Sequence, residues 1–418
     1  MEVYIIVIAF FVGITGAQIV SGGQLEVNTC DRIQRHGYPC ENHTVTTPDG
    51  YILTLFRLPH GCLEMSDKGE PRPAVLIMHC LLCSSDFFVL NGPNDGLPFM
   101  LADAGYDVWL GNARGNIYSQ RHVNLSSLSE EFWDFSLDQI GLIDVPTKID
   151  YILKTTSESK LHYIGFSQGT TVFMMLLSSQ PSYGEKIKTA HLLGPGVYFC
   201  HLRSPPALLI QKFLGRPSGL ANIIGTLPSQ GFTGILRLLG SNVCKFPLFT
   251  ELCIEILNLF SGWDSPYLNR TLLTDLLTST PADGSNQQIN QYMQFITKCE
   301  FKRYDYGAEG NLRKYGDSKP PIYDLKNIHL GEPIEFYFAV NDFFATPEDI
   351  HSLFDEIGMQ GNWNRVKLKK YNHFDLVLSI NVKTCINNCI VDKLLKYEGR
   401  PFNGTLCKCF RNKAFEEG

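Results

Sequence analysis

HYIGFSQGTTVF occupies residues 162–173 and sets one serine, Ser167, between Gly165 and Gly169. KLHYIG (160–165) reads as a strand, and QGTTVFMMLLSSQ (168–180) reads as a helix that Pro181 stops. A G-x-S-x-G match at a strand-to-helix junction is the context of a nucleophile elbow, a turn so tight that the residues flanking its serine must be small. The helix that follows such a turn aims its N-terminal N–H groups at the serine, where they favour developing negative charge. The motif alone is a weak signal in a chain with 36 glycines among 418 residues, so its surroundings must decide.

Outward from Ser167, the chain between residues 49 and 193 alternates strand-like and helix-like runs. GYILTLFRL (50–58), AVLIMH (74–79) and DVWLGN (107–112) read as strands, the second apolar enough to be buried on both faces. PFMLADAGY (98–106) and IGLIDVPTKIDYILKTT (140–156) carry helical spacing. This order predicts a mostly parallel sheet flanked by helices. Residues 204–239 break the pattern. They are rich in Leu, Ile, Gly and Pro, with Lys212, Arg216 and Arg237 as their charges, and read as short amphipathic helices inserted over the sheet. The sheet pattern returns with PIEFYFAV (333–340), TPEDIHSLFDEI (346–357) as a helix capped by Thr346, RVKLKKY (365–371) as a strand, and a helix near 377–397.

A serine is inert without a base, and in this context acid and base follow it in the order Ser, Asp, His. Asp342 in AVNDFFATP and His373 in KYNHFDL each lie just past an expected strand end, where a parallel sheet presents its functional loops. Asp375 competes as the acid but sits two residues from His373, and we read it as structural. An oxyanion hole needs two N–H donors. Gln168, after the serine, and Leu81, in HCLLCSS (79–85), are the candidates.

Composition narrows the class. With 44% hydrophobic and 19% charged residues and a formal charge of −6, the chain reads as globular and lacks a nucleic-acid footprint. Its densest basic run, KLKK (367–370), fits a half-exposed strand over 366–371. VYIIVIAFFV (3–12) followed by Gly13, Thr15, Gly16 and Ala17 reads as a signal peptide cleaved after Ala17, with a signal anchor as the alternative because Glu2 stands where a basic residue is usual. No later segment has the pattern of a membrane span. Sequons at Asn42, Asn124, Asn269 and Asn403 and 13 cysteines agree with secretion. An odd count leaves at least one thiol free or paired with another chain. Cys244 and Cys253, across an apolar segment, are candidates to close a loop. Cys385, Cys389, Cys407 and Cys409 have spacings open to zinc, but in an oxidising compartment disulfides pinning the tail are expected.

These residues resemble the acid lipases, the family of gastric and lysosomal acid lipase and many insect homologues. The resemblance runs from about residue 37 to 397 and rests on GYPCENHTVTTPDGYILTLFRLPHG, DVWLGNARGNIYSQRH, GFSQGTT, NDFFATPEDI and YNHFDLV. It implies an α/β-hydrolase fold with a helical cap, Ser167 as nucleophile, Asp342 and His373 as acid and base, and a cap disulfide at Cys244 and Cys253. Two positions depart from the family pattern. Phe166 stands where the family has His before the nucleophile, and Cys80 stands where it has Gly after the His of the oxyanion loop. A Cβ at Cys80 would shift the Leu81 N–H if that position needed positive φ.

The expected organisation is a signal peptide (1–17), an α/β-hydrolase core in two parts (18–195 and 311–397), a cap insertion (196–310) and a cysteine-bearing tail (398–418). The expected function is a secreted or lysosomal serine lipase. It would cleave triacylglycerol or cholesteryl ester at a lipid–water interface through an acyl-enzyme, with no metal or organic cofactor and no nucleic-acid partner. The alternatives are a carboxylesterase of soluble esters and a catalytically weak lipid-binding or storage protein on the same scaffold.

Overall fold

The runs AVLIM, DVWLG and LHYIGF are buried at every residue, a condition strands meet when both faces of their sheet are covered. In the computed structural model, which describes residues 27–62, 72–216, 230–358, 361–366, 368–404 and 410–411, they form the middle of one sheet. The signal read over 1–17, and Cys407 and Cys409, lie outside the described residues.

The strands are β1 (Glu41–Thr46), β2 (Tyr51–Leu58), β3 (Ala74–Met78), β4 (Asp107–Gly111), β5 (Arg121–His122), β6 (Leu161–Phe166), β7 (Ile187–Leu193), β8 (Ile334–Phe338), β9 (Gly361–Val366) and β10 (Phe410–Arg411). Their order is β1-β2-β4-β3-β6-β7-β8-β9-β10, with β5 beside β2. From β4 through β9 every neighbour is parallel, and β1, β2 and β10 join antiparallel. Successive strand residues feed two cores. Leu76 and Tyr163 pack on one face, while Val75, Ile77, Ile164 and Phe166 pack on the other. The helices α1 (Leu97–Asp103), α2 (Val145–Thr156) and α3 (Gln168–Ser179) belong to the connections between parallel strands. The sheet class expected from the alternating runs is therefore the one observed.

Between β7 and β8 the chain forms α4 (Pro205–Gln211), α5 (Gln230–Val243), α6 (Pro247–Ser261), α7 (Leu273–Ser279), α8 (Asn286–Lys298) and α9 (Ala308–Tyr315). α8 begins in a capping box formed by Ser285 and Gln288. Its buried face is largely polar: Gln287, Asn290, Gln291 and Gln294 are all buried. Each is hydrogen-bonded. Gln287 donates to Asp134 at 2.6 Å and Gln291 to Asp138 at 2.7 Å, while Leu137 N–H donates to the Gln291 oxygen at 2.9 Å. Asn290 donates to Tyr304 at 2.6 Å, and Gln294 donates to the Asp305 carbonyl at 3.0 Å.

After β8 come α10 (Pro347–Ile357) and α11 (Asn388–Tyr397). Thr346 caps α10 by accepting the Asp349 N–H, as read from the sequence. The strand expected over 365–371 is displaced. β9 ends at Val366, and Leu368 to Tyr371 is a turn closed by Tyr371 N–H to the Leu368 carbonyl at 3.0 Å. The polar GNWNRV run makes the strand because Asn362 and Asn364 donate to Glu335 of β8 at 3.0 and 2.7 Å. Those side-chain bonds satisfy polar groups that an alternation argument counts against a strand. The helix expected near 377–397 is likewise interrupted: a short helix covers Asp375–Leu378 and α11 begins at Asn388.

Candidate active site

Ser167 is the single residue between β6 and α3 and takes φ 52° and ψ −112°. This backbone is costly for a residue with a side chain, and it persists because the surroundings determine it. Ser167 N–H donates to the Leu193 carbonyl at the end of β7 at 2.9 Å, and the Ser167 carbonyl accepts Thr170 N–H at 2.8 Å. The two glycines are required by contact. A Cβ on Gly165 would lie 2.7 Å from the Gly169 carbonyl carbon, and one on Gly169 would lie 2.4 Å from the Met78 carbonyl oxygen. The first close approach lets the chain reverse. The second presses the start of α3 against the end of β3, which brings residue 168 towards the loop that begins at residue 79.

Asp342 and His373 come from loops after β8 and β9 and are both buried. Asp342 Oδ2 lies 2.7 Å from His373 Nδ1. Its other oxygen accepts Phe344 N–H at 2.8 Å and Ala345 N–H at 2.9 Å, so the carboxylate is aimed by its own loop. With Nδ1–H donated to Asp342, the lone pair of His373 is left on Nε2. The imidazole is bounded by Phe166 at 4.9 Å and Phe344 at 5.2 Å between ring centroids. A Cβ on Gly194, next to the Leu193 carbonyl that holds Ser167 N–H, would lie 2.7 Å from His373 Cε1. The residue before Ser167 and the residue after its backbone anchor thus both touch the His373 ring. Phe166, where the family pattern has His, serves as one wall for that ring and also stacks on Phe87 at 5.5 Å. Among the described residues no hydrogen bond joins Ser167 Oγ to His373, and such bonds often tighten only when substrate is bound.

The loop that carries Leu81 is closed by a disulfide the sequence reading did not anticipate, Cys80–Cys83. Cys83 N–H also donates to the Cys80 carbonyl at 3.2 Å. Positive φ falls on Leu82 at 55°, and Cys80 is not among the positive-φ residues. The departure from glycine at Cys80 therefore imposes no backbone strain there, and the shift feared for the Leu81 N–H has no cause. Beneath the turn, His79 is fully enclosed, and burial lowers its pKa to about 4 and keeps it neutral. Its Nδ1 lies 2.8 Å from the Cys80 carbonyl and its Nε2 accepts Ala113 N–H at 3.0 Å, which assigns the proton to Nδ1. Asn116 Nδ2 reaches both Nε2 of His79 and the Cys83 carbonyl. His79 and Asn116 were not singled out from sequence, although both lie in segments quoted for other reasons. Gln168, the other oxyanion candidate, is the first residue of α3, so its N–H has no acceptor within the helix.

Among the described residues no hydrogen bond joins Asp375 to the His373 ring, whose Nδ1 is taken by Asp342. Asp375 accepts Asn372 N–H at 2.8 Å and the Ser265 hydroxyl, and so ties the loop bearing His373 to the segment after α6. Burial raises its pKa to about 7. The folded chain holds this proton more tightly than the unfolded chain does. The stability from this group is therefore present below about pH 4 and is lost as the pH rises towards 7. Asp375→Asn should flatten the fall in Tm between those values, which corresponds to about 4 kcal/mol at most. Thermal melts of both proteins from pH 4 to 8 would check this, and parallel profiles would refute it.

Asn42, Asn124 and Asn403 are exposed and Asn269 is partly so. Cys244 and Cys253 are bonded, linking the segment after α5 to α6 with Cα atoms 5.9 Å apart. Cys30–Cys40 is a further bridge. Cys385 and Cys389 are each disulfide-bonded, which removes both from zinc ligation.

Comparison with known proteins gives two family matches. Residues 29–92 match the partial alpha/beta-hydrolase lipase region, and residues 73–294 match the alpha/beta hydrolase fold. Lipase 3 of Drosophila melanogaster is 35% identical over 92% of this chain and 97% of its own length. Gastric triacylglycerol lipase of Bos taurus is 35% identical over 90% of this chain and 92% of its own. Lipase member J of Homo sapiens is 32% identical over 88% of this chain and 98% of its own. Relatives this similar over nearly their whole length, on a sheet and elbow of this form, establish that the chain belongs to the acid lipase family of α/β-hydrolases and is a carboxylic ester hydrolase.

Proposed function

We propose that the chain is a secreted or lysosomal serine lipase acting on the acyl esters of neutral lipids, triacylglycerol or cholesteryl ester. The observation that carries this reading is the buried Asp342–His373 pair beside the strained turn at Ser167. His373 Nε2 takes the proton of Ser167 as the hydroxyl oxygen attacks the ester carbonyl. Asp342 holds the ring and stabilises its charged form. The N–H groups of Leu81 and Gln168 receive the oxyanion, and the Cys80–Cys83 bridge keeps the Leu81 turn from opening. His373 then returns the proton to the leaving alcohol. Water, activated by the same base, releases the fatty acid and regenerates Ser167.

Residues 196–310 act as a cap over the core formed by 18–195 and 311–397. Support for a lipid surface as the working environment comes from α5, α6 and the turn between them. Leu238, Val243, Phe246, Leu248, Leu252 and Ile256 are exposed, with Leu248 at 83%. Leu248, Leu252 and Ile256 recur at four-residue spacing and so share one face of α6. An apolar face of this extent on a protein surface marks a binding surface, and dispersed lipid is the partner that fits both it and the ester chemistry. Carbohydrate at Asn42, Asn124, Asn269 and Asn403 belongs to the same secretory reading.

The test compares emulsified long-chain triacylglycerol with a dissolved short-chain ester, from acidic to neutral pH. The double variant Leu248→Asp, Leu252→Asp should lose about tenfold or more on the emulsion and little on the dissolved ester. Burying each leucine in lipid contributes about 1.5–3 kcal/mol, and tenfold corresponds to about 1.4 kcal/mol. Equal losses on both substrates would remove the lipid-surface reading. Hydrolysis of dissolved esters alone would favour a soluble-ester carboxylesterase.

A further inference from the structure

Two cysteines outside the bridges described above meet at the root of the cap. Cys200 and Cys299 are exposed free thiols, and their side chains are hydrogen-bonded to each other. They stand 99 positions apart in the chain and come together because the segments that carry them pack. Phe199 meets Phe295 at 6.4 Å and Tyr292 at 5.4 Å between ring centroids. Phe295 lies one helical turn before Cys299, whose N–H donates to the Phe295 carbonyl at 2.8 Å. Both backbones are held. Cys200 N–H donates to Asp349 of α10 at 3.0 Å, and the same carboxylate accepts His201 N–H and lies 2.9 Å from His201 Nδ1. Cys299 ends α8 in the left-handed conformation.

The positions in the chain give the contact its meaning. Cys200 precedes α4, and Cys299 directly follows α8. A bond between them would close α4 to α8 into one covalent loop, rooted at Cys200 on a turn that the sheet-side helix α10 anchors. We propose that Cys200 and Cys299 are a disulfide site, joined on passage through an oxidising compartment, and that the bridge clamps the two feet of the cap insertion together. This inference stands apart from the lipase reading and requires only the fold.

The oxidant is a small disulfide of the glutathione class. One cysteine thiol gives its proton to water, and its thiolate attacks a sulfur of oxidised glutathione. The glutathione S–S bond breaks and one glutathione thiolate leaves. The second cysteine, deprotonated in turn, attacks the protein sulfur of this mixed disulfide and expels the second glutathione thiolate. Two electrons pass from the cysteine pair to the glutathione disulfide, and the two protons end on two glutathione thiols. Burial, helped by the hydrogen bond shared with Cys299, pushes the Cys200 thiol up to about 12, which leaves little of it as thiolate at neutral pH.

The full-length protein, secreted from a eukaryotic host, would be denatured without reductant, alkylated with iodoacetamide, digested and analysed by mass spectrometry. The expected result is a peptide containing Cys200 joined to one containing Cys299, lighter than their sum by two hydrogens. Recovery of both cysteines as alkylated peptides, or of either one bonded to a different cysteine, would overturn the proposal. Thermal melts of Cys200→Ser, Cys299→Ser and the double variant give an independent reading. One shared bridge predicts three equal downward shifts, on the order of 5 °C, because either change removes the whole crosslink and the closed loop is long. Small shifts that add in the double variant would instead mean two separate thiols.

Discussion

Ser167→Ala is expected to lower ester hydrolysis by about 10⁴- to 10⁶-fold and to leave the fold intact. The size of the loss follows from what Ser167 alone can supply. His373, Asp342 and the two N–H donors remain in the variant, but no oxygen is left to form the acyl-enzyme. The residual rate is what binding and oxyanion stabilisation give to a direct attack by water. Stability should change little, since Ser167 is held through its backbone by Leu193 and Thr170, and alanine keeps both bonds. The check is hydrolysis of a dissolved ester, together with labelling by a fluorophosphonate. The wild-type chain should gain the label on Ser167 and the variant should gain none. Turnover within tenfold of wild type would dismiss Ser167 as nucleophile.

Asp342→Asn should be nearly as damaging, with kcat lower by about 10³- to 10⁴-fold and KM little changed. The two oxygens of Asp342 have different duties. One accepts the N–H groups of Phe344 and Ala345, and the other faces Nδ1 of His373. An asparagine that keeps its oxygen on the two N–H groups must turn its NH₂ towards the ring. Nδ1 then accepts that bond, and the proton of a neutral imidazole moves to Nε2. A ring protonated on Nε2 cannot take the proton of Ser167. Circular dichroism of the variant should match wild type. A variant that kept a third of the wild-type kcat would show that Asp342 does not set the tautomer.

The elbow was legible before the structure because two independent signals met there, a strand passing into a helix and small residues on either side of one serine. The reason for the glycines was not. For Gly169 it lies in Met78, a residue 91 positions away whose carbonyl would clash with any Cβ there, and for Gly165 it lies in the backbone of Gly169 itself. Asp342 and His373 could be placed because loops past parallel strands are where such groups collect, even though the strand before His373 was read several residues late. The polar strand GNWNRV hid its character by satisfying its amides on Glu335. The Cys80–Cys83 bridge was illegible for a related reason. A cysteine where glycine is usual reads as a defect until the left-handed Leu82 lets the chain turn and a second cysteine covers it. α8 was absorbed into the cap without comment, because its buried face mixes Gln287, Asn290, Gln291 and Gln294 with Tyr292, Met293 and Phe295 and so lacks a clean apolar stripe.

That mixed face bears on how the joint would fare beside fatty acid, the product of the proposed reaction. Fatty acids and bile-like surfactants loosen assemblies held by contact between hydrocarbon side chains, since they offer the same contact from solution. They compete poorly for a buried amide bonded to a carboxylate. α8 is attached in both ways: Tyr292 and Phe295 pack on Phe199, and Gln291 donates to the buried Asp138. The molecule thus leaves an apolar face open on α5 and α6, while on α8 the Gln291–Asp138 bond adds a hold that hydrocarbon from solution cannot replace.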